Sequence, residues 1–325
     1  MNQAALKTYW YPLLAFKSLK RKPHSVMLLG EPLVLVRLGE KIVCLEDRCP
    51  HRNVALSDGF IEKENLRCAY HGWTFDEQGV VTKIPGCACL EEPITIKAYR
   101  VHVDSGIIWV CLEGERAFSN PFTCKDIEAD RRIHFKCLKA DFIHTIENFL
   151  DPTHTPFIHK GLLRVESKRQ RMHVTQELTE EGFVTQYQLV DKQNGFINTL
   201  FDNGIDTNIA SFTMPGFAQI DYLQKKRVVL RVQIFFVPYA EGKVGMVVCV
   251  NLPKSWTTPL TFLALRPFME LAYIQDKRIL ERQFTLQKNY DKPYVSTPND
   301  LVIDHLVHFF CDAPIGTCKT ATMSL

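Results

Sequence analysis

The stretch "CPHRNVALSDGFIEKENLRCAYHGW", residues 49–73, restricts this chain more than any other. It holds Cys49 and His51, then sixteen residues, then Cys68 and His71. Soft thiolates and imidazoles repeated at such short spacing are the pattern of a metal site. Each of the two segments supplies one sulfur and one nitrogen. A small β-rich domain with two ligand-bearing loops is the scaffold such a pattern asks for.

Structural zinc sites commonly pair Cys with Cys and His with His, as C-x-x-C and H-x-x-x-H. Here the division is Cys-x-His and Cys-x-x-His. A Rieske-type [2Fe–2S] cluster needs that division, because one iron takes both thiolates and the other takes both imidazoles. Two neutral imidazoles in place of thiolates also raise the reduction potential. Pro50 and Gly72 allow tight turns that aim backbone N–H groups at the cluster sulfurs, and Tyr70 and Trp73 offer hydrogen bonds or an apolar wall. Zinc is the alternative.

The chain has 325 residues, 46% of them hydrophobic, enough for one large domain or two ordinary ones. The net charge of +3 is well mixed, which argues against a nucleic-acid-binding tail. There is no run of eighteen apolar residues and no signal-peptide pattern, so no membrane span is expected and the expected location is cytoplasmic. Eleven cysteines, an odd count, read as free thiols plus metal ligands. Cys44, Cys111, Cys137 and Cys249 lie in apolar runs and are expected in the core. Cys87 with Cys89, and Cys311 with Cys318, are weak candidates for metal or redox chemistry.

Residues 25–112 read as short strands joined by turns, as in "SVMLLGEPLVLVRLGEKIVCLED". From about residue 116 helical and strand patterns mix, ending in a helix over about 260–289. The expected fold is α+β. An all-β Rieske domain over 1–115, including its N-terminal opening segment, precedes a catalytic domain over 116–325, an antiparallel sheet covered by helices.

A second group lies in "ENFLDPTHTPFIH", which holds Glu147, Asn148, Asp151, His154 and His159. Two imidazoles and one carboxylate on one face of a metal describe a mononuclear Fe(II) site with open positions. Glu147 and Asp151 are local candidates for the carboxylate. The late helix supplies another. Its apolar stripe runs Leu265, Phe268, Ala272, Ile279 and Gln283, and Asp276 falls on it. A carboxylate on a buried face is costly unless it is paired or metal-bound. Asp276 is the expected third ligand; a buried ion pair with a lysine or arginine is the competing account. Glu281 stands four after Lys277, at ordinary salt-bridge spacing.

With these residues in place, the chain resembles the oxygenase component of the Rieske non-heme iron oxygenases over essentially its whole length. Cys49, His51, Cys68 and His71 match the Rieske pattern of that family. Asn148, Asp151, His154 and His159 match its Asn-x-x-Asp-x-x-His-x-x-x-x-His pattern, and Gln275–Asp276 resembles its late carboxylate segment. The openings "YWYPLLAF" and "VMLLGEPLVLVR" also look alike.

The resemblance implies a [2Fe–2S] cluster and a mononuclear Fe(II), an NAD(P)H-dependent reductase with or without a ferredoxin, and a homotrimer. It implies that the cluster of one subunit serves the iron of the next, with Asp151 bridging His71 and His154. The chain looks most like the single-subunit monooxygenases and demethylases, acting on a small aromatic or alicyclic substrate. The alternatives are an arene cis-dihydroxylating dioxygenase and, from another class, a Rieske electron-transfer protein. Strands around Phe196–Phe236 are expected to line an apolar pocket. Arg227 and Arg231 are expected at the surface.

Overall fold

The computed structural model describes residues 1–87, 92–160, 162, 171–190, 200, 204–290, 294–311, 313–314, 318 and 320–324. It divides into two compact units. One is Gln3–Asn120 with Val237–Glu241; the other is Pro121–Phe236 and Gly242–Leu325 with Met1–Asn2. The main break follows Asn120, so residues 116–120 belong with the first unit.

The first unit holds a short helix α1 (Gln3–Leu6) and two antiparallel sheets. The larger has six strands, β1 (Tyr11–Ala15), β2 (His24–Leu28), β3 (Glu31–Leu38), β4 (Lys41–Glu46), β9 (Ala98–Asp104) and β10 (Ile107–Cys111), in the order β1-β10-β9-β4-β3-β2. Leu29–Gly30 and Ser105–Gly106 join paired strands with both residues at positive φ, the two-residue turn that matches strand twist. The smaller sheet runs β5 (Phe60–Glu62), β6 (Asn65–Arg67), β7 (Thr74–Phe75) and β8 (Val81–Lys83). Val34, Val36 and Leu45 of the larger sheet share one core with Leu56, Leu66 and Phe75, and Cys49 and Cys68 are buried in the same cluster.

The second unit is an eight-stranded antiparallel sheet in the order β11-β17-β16-β15-β14-β13-β12-β18. Its strands are β11 (Ala129–Leu138), β12 (Arg171–Thr179), β13 (Gly182–Leu189), β14 (Thr207–Thr213), β15 (Phe217–Gln224), β16 (Arg227–Ala240), β17 (Lys243–Pro253) and β18 (Thr320–Ser324). Four described helices accompany it: α2 (Phe142–Leu150), α3 (Thr155–Ile158), α4 (Thr258–Gln287) and α5 (Ile303–Cys311). Asp141 caps α2 by accepting the His144 N–H at 3.0 Å. No described helix is long and apolar enough to cross a membrane.

Strand alternation gives the two faces of this sheet different chemistry. Ile220, Tyr222, Leu230, Val232 and Ile234 share one face and line a cavity. Gln219, Asp221, Arg231 and Gln233 alternate with them. Arg231 corrects the expectation of a surface site. It is buried and holds Asp221, its cross-strand partner, at 2.6 and 2.8 Å, and Asp126 at 2.7 Å through two bonds. These carboxylates push the Arg231 pKa up against the opposing effect of burial. Arg227 is exposed, as expected.

Two further expectations are corrected. Cys44, Cys111 and Cys249 are buried, but Cys137 is exposed on β11, which among the described strands has a neighbour on one side only. On α4, Leu265, Phe268 and Leu280 are buried while Ile279 is 43% exposed. The buried stripe steps by four from Asp276 to Leu280 and so leaves Ile279 outside. Cys87, Cys311 and Cys318 are exposed free thiols, whereas Cys89, Phe196 and Phe201 lie outside the described residues.

Candidate metal centres

The two loops of the first unit are built alike. Cys49 N–H donates to Val54 O at 2.9 Å and its carbonyl accepts from Asn53 N. Cys68 N–H donates to Trp73 O at 2.8 Å and its carbonyl accepts from Gly72 N. Gly72 sits at φ +75°, and a Cβ there would lie 3.0 Å from the Arg67 guanidinium and 3.1 Å from Pro85. Asp47 anchors the chain before Cys49 by accepting Ser57 N and Ser57 Oγ, each at 2.7 Å, and Ser25 Oγ at 3.0 Å.

Burial pushes the Cys49 thiol up, while backbone N–H groups of His51 and Arg52 aimed at the sulfur oppose it. The His51 ring stacks on Trp73 with centroids 4.9 Å apart and meets His71 at 4.5 Å. Tyr70 lies 3.9 Å from the His71 ring.

These residues fit a two-iron cluster better than zinc. His51 Nδ1 is buried with no hydrogen-bond partner, as a ligand atom would be. Among the described residues, only His154, His159 and Asp276 gather three donor atoms within 4.8 Å of one another. The four cluster residues therefore do not converge on one ion, whereas a tetrahedral zinc draws its ligands onto a single point about 2.0–2.3 Å from each.

In the second unit, His154 ends the turn after α2, His159 ends α3, and Asp276 lies on α4. His154 Nε2 and His159 Nε2 are 3.3 Å apart and lie 3.7 and 3.1 Å from Asp276 Oδ1. A facial set bound at roughly 2.1 Å places its donors about 3 Å apart. The outer nitrogens fix the tautomers. His154 Nδ1 donates to Asp151 O at 2.7 Å and His159 Nδ1 donates to Gln275 Oε1 at 2.9 Å. Each Nε2 then presents a lone pair.

Two lone pairs and a carboxylate oxygen facing one another repel unless a cation sits among them. Asp276 Oδ1 is buried without a hydrogen-bond partner, which agrees. Burial pushes His154 down, toward the neutral form a ligand needs. For His159, burial also lowers the pKa, but the Asp276 carboxylate and Gln275 outweigh it and raise it.

The other carboxylates are engaged elsewhere. Glu147 meets His144 Nδ1 at 2.9 Å. Glu281 lies 3.8 Å from Lys277 and also accepts Lys139 N. The expectation for Asp151 changes in one respect. Its carboxylate accepts Thr153 N at 2.9 Å and Thr153 Oγ1 at 2.5 Å, and its contact with His154 is made by the main-chain oxygen.

His154, His159, Asp276 and Asn148 line a cavity of about 470 Å³, within the range of small-molecule sites. Sequence reading missed several of its other walls. Arg132, His134 and Lys136 alternate along β11 and line it from more exposed positions. Their i, i+2, i+4 spacing was the available signal. Lys136 is held by Glu270 at 2.7 and 2.8 Å, and Arg132 lies over Phe262. Asn208, Tyr187 and Tyr222 had no local signal, because cross-strand register brings them together.

A β domain with cluster loops, and a sheet domain whose two imidazoles and one carboxylate open onto an apolar cavity, define the class of Rieske-type iron oxygenases. Residues 9–99 match the Rieske [2Fe-2S] domain and residues 138–305 match the vanillate O-demethylase oxygenase C-terminal domain. The chain belongs to the Rieske non-heme iron oxygenase family, whose cofactors are the [2Fe–2S] cluster and a mononuclear iron.

It is 34% identical over 183 residues to methylxanthine N3-demethylase NdmB of Pseudomonas putida, covering 50% of each chain. It is 31% identical over 166 residues to the 5,5'-dehydrodivanillate O-demethylase oxygenase subunit of Sphingobium sp., covering 47% of this chain and 39% of that one. The matched stretch spans about half the length of the curated relatives, or less. Dicamba monooxygenase bound to dicamba superposes with a TM-score of 0.75 at 17% identity, covering 93% of this chain and 96% of that one. NdmA of Pseudomonas putida with caffeine gives 0.74 at 22%, covering 94% and 90%. At these identities the superpositions speak to the fold.

Proposed function

We propose that this chain is the oxygenase component of a multicomponent monooxygenase or demethylase acting on a small aromatic or alicyclic substrate. The observation that carries the reading is the facial set of His154, His159 and Asp276 opening onto an apolar cavity. Cys49, His51, Cys68 and His71 hold the cluster. Loaded, the two centres supply one-electron relay and dioxygen activation. Electrons come from a separate NAD(P)H-dependent reductase, with or without a ferredoxin, and the working assembly is a cytoplasmic homotrimer.

The protein's own groups set the geometry. Asp151 O and Gln275 Oε1 each take an Nδ1 proton and so turn both Nε2 atoms inward. The apolar cavity walls would remove water from a substrate bound beside His154, His159 and Asp276. Asn148, which lines the cavity, is placed to contact substrate or water there. In the net reaction, a methyl C–H, O₂, two electrons and two protons give a hydroxymethyl group and water. On nitrogen or oxygen that group leaves as formaldehyde.

The test is turnover of methylated aromatics with a surrogate reductase and NADH, following O₂ uptake, formaldehyde and product mass. Formaldehyde in step with O₂ consumption supports demethylation. A product heavier by both oxygen atoms, without formaldehyde, supports the cis-dihydroxylating alternative. Cluster reduction with no O₂ consumption on any substrate supports the electron-transfer alternative.

A further inference from the structure

Among the described residues, Asn208 brings to the cavity a buried polar atom without a hydrogen-bond partner, besides the metal-facing carboxylate. Asn208 is 7% exposed, lines the cavity, and its Oδ1 has no hydrogen-bond partner. Its place is fixed by register. Asn208 on β14 pairs with Tyr187 on β13 and with Tyr222 on β15, and Tyr222 pairs with Leu230 on β16. All four line the cavity, so Asn208 stands in a cross-strand row with an aromatic ring on each side.

A buried amide oxygen without a partner costs stability and is rare in native proteins. Such an atom on a residue that lines a cavity is satisfied when a ligand donates to it. We infer that Asn208 selects the substrate by accepting a hydrogen bond from an uncharged N–H or O–H group on its ring, which deepens the oxygenase reading and rests on it for the reaction.

Charge on the walls favours an uncharged group. The cationic residues lining the cavity, Arg132, Lys136, Arg266 and Lys277, are exposed or half-buried, and Lys136 is already bonded twice to Glu270. The buried cation of the domain, Arg231, is not among the lining residues and is held by Asp221 and Asp126. Around Asn208 the walls are Ala210, Ile220 and Val232, which repel a charge by desolvation.

The experiment measures binding to the metal-loaded protein by calorimetry for three probes of one frame: 4-methoxybenzamide, 4-methoxybenzoate and 4-methylanisole. The benzamide should bind tighter than the other two by about tenfold or more. In Asn208→Leu the benzamide-to-methylanisole ratio should fall toward one. The melting temperature of that variant should hold or rise, since an unpaired buried polar atom has been replaced by an apolar group of similar size. A structural asparagine would lower it.

Asn208→Ser provides a second variant of smaller volume, expected to keep part of the preference. Tightest binding by the benzoate, equal affinity for benzamide and methylanisole, or a benzamide advantage that persists in Asn208→Leu would each overturn the inference. Binding needs no electrons, so the two readings fail separately. Discrimination in binding with no turnover of any methylated aromatic removes the oxygenase reading and leaves Asn208 in its role. Equal binding of benzamide and methylanisole, with both demethylated, does the reverse.

Discussion

Gln275 Oε1 lies 2.9 Å from His159 Nδ1, on the residue immediately before the carboxylate that faces the other nitrogen of the same ring at 3.1 Å. One turn of α4 therefore grips both edges of His159. Gln275→Leu should weaken iron retention by about tenfold or more, the usual effect of losing an outer partner of a ligating histidine. Gln275→Glu, which keeps the acceptor, should restore it. Iron titration after chelation measures both, and an unchanged affinity in Gln275→Leu would show that packing alone holds the ring.

His154 is held by a main-chain oxygen, so Asp151→Asn should keep the iron and the cluster. If Asp151 couples two centres across subunits, reoxidation of the reduced cluster with substrate and O₂ should slow by about 100-fold in stopped-flow, while its reduction stays normal. Mixed trimers of Cys68→Ala and His159→Ala should regain part of the activity after subunit exchange. No recovery despite proven exchange would mean that electrons stay within one chain.

His144 gives a pH-dependent contribution to stability. Burial lowers its pKa, but the Glu147 hydrogen bond and the charges of Asp141 and Glu147 outweigh that, and the net shift is upward. A raised folded pKa means that the folded state binds the proton more tightly. The stabilisation is complete below the unfolded value of about 6.5 and is lost as pH rises through the folded value. Wild type should exceed His144→Gln by about 1 kcal/mol at pH 6, after solvent screening, with the difference shrinking toward pH 9 in urea unfolding. A difference that grows with pH would contradict this.

Arg231→Leu should destabilise the second unit by about 3–5 kcal/mol, because it leaves the buried Asp221 carboxylate unpaired. Adding Asp221→Leu should recover most of the loss. Urea midpoints of the two variants decide it, and equal destabilisation would show that Asp221 is solvated without its partner.

The parts of this protein legible in sequence are those whose chemistry is local. Cys49 with His51, and Cys68 with His71, sit two and three residues apart, and His154 and His159 five. Asp276 was legible for a different reason: a carboxylate on an apolar helical stripe is an anomaly. What was not legible depends on register between distant strands. Arg231 is buried because it stands opposite Asp221, and Asn208 is in the cavity because Tyr187 and Tyr222 flank it. The shift from Ile279 to Leu280 on the buried side of α4 has the same origin, since its neighbours set the phase of the helix. The role of Asp151 was read from its side chain, whereas its main-chain oxygen makes the His154 contact.

Metal analysis of wild type and Asp276→Ala, both isolated without oxygen, tests the central claim most directly. Wild type should carry three irons and two acid-labile sulfides per chain, two irons in the cluster and one between His154, His159 and Asp276. Asp276→Ala should carry two irons, with the visible absorbance of the cluster unchanged. Zinc in place of iron in wild type, or a third iron retained in full by Asp276→Ala, would contradict the account.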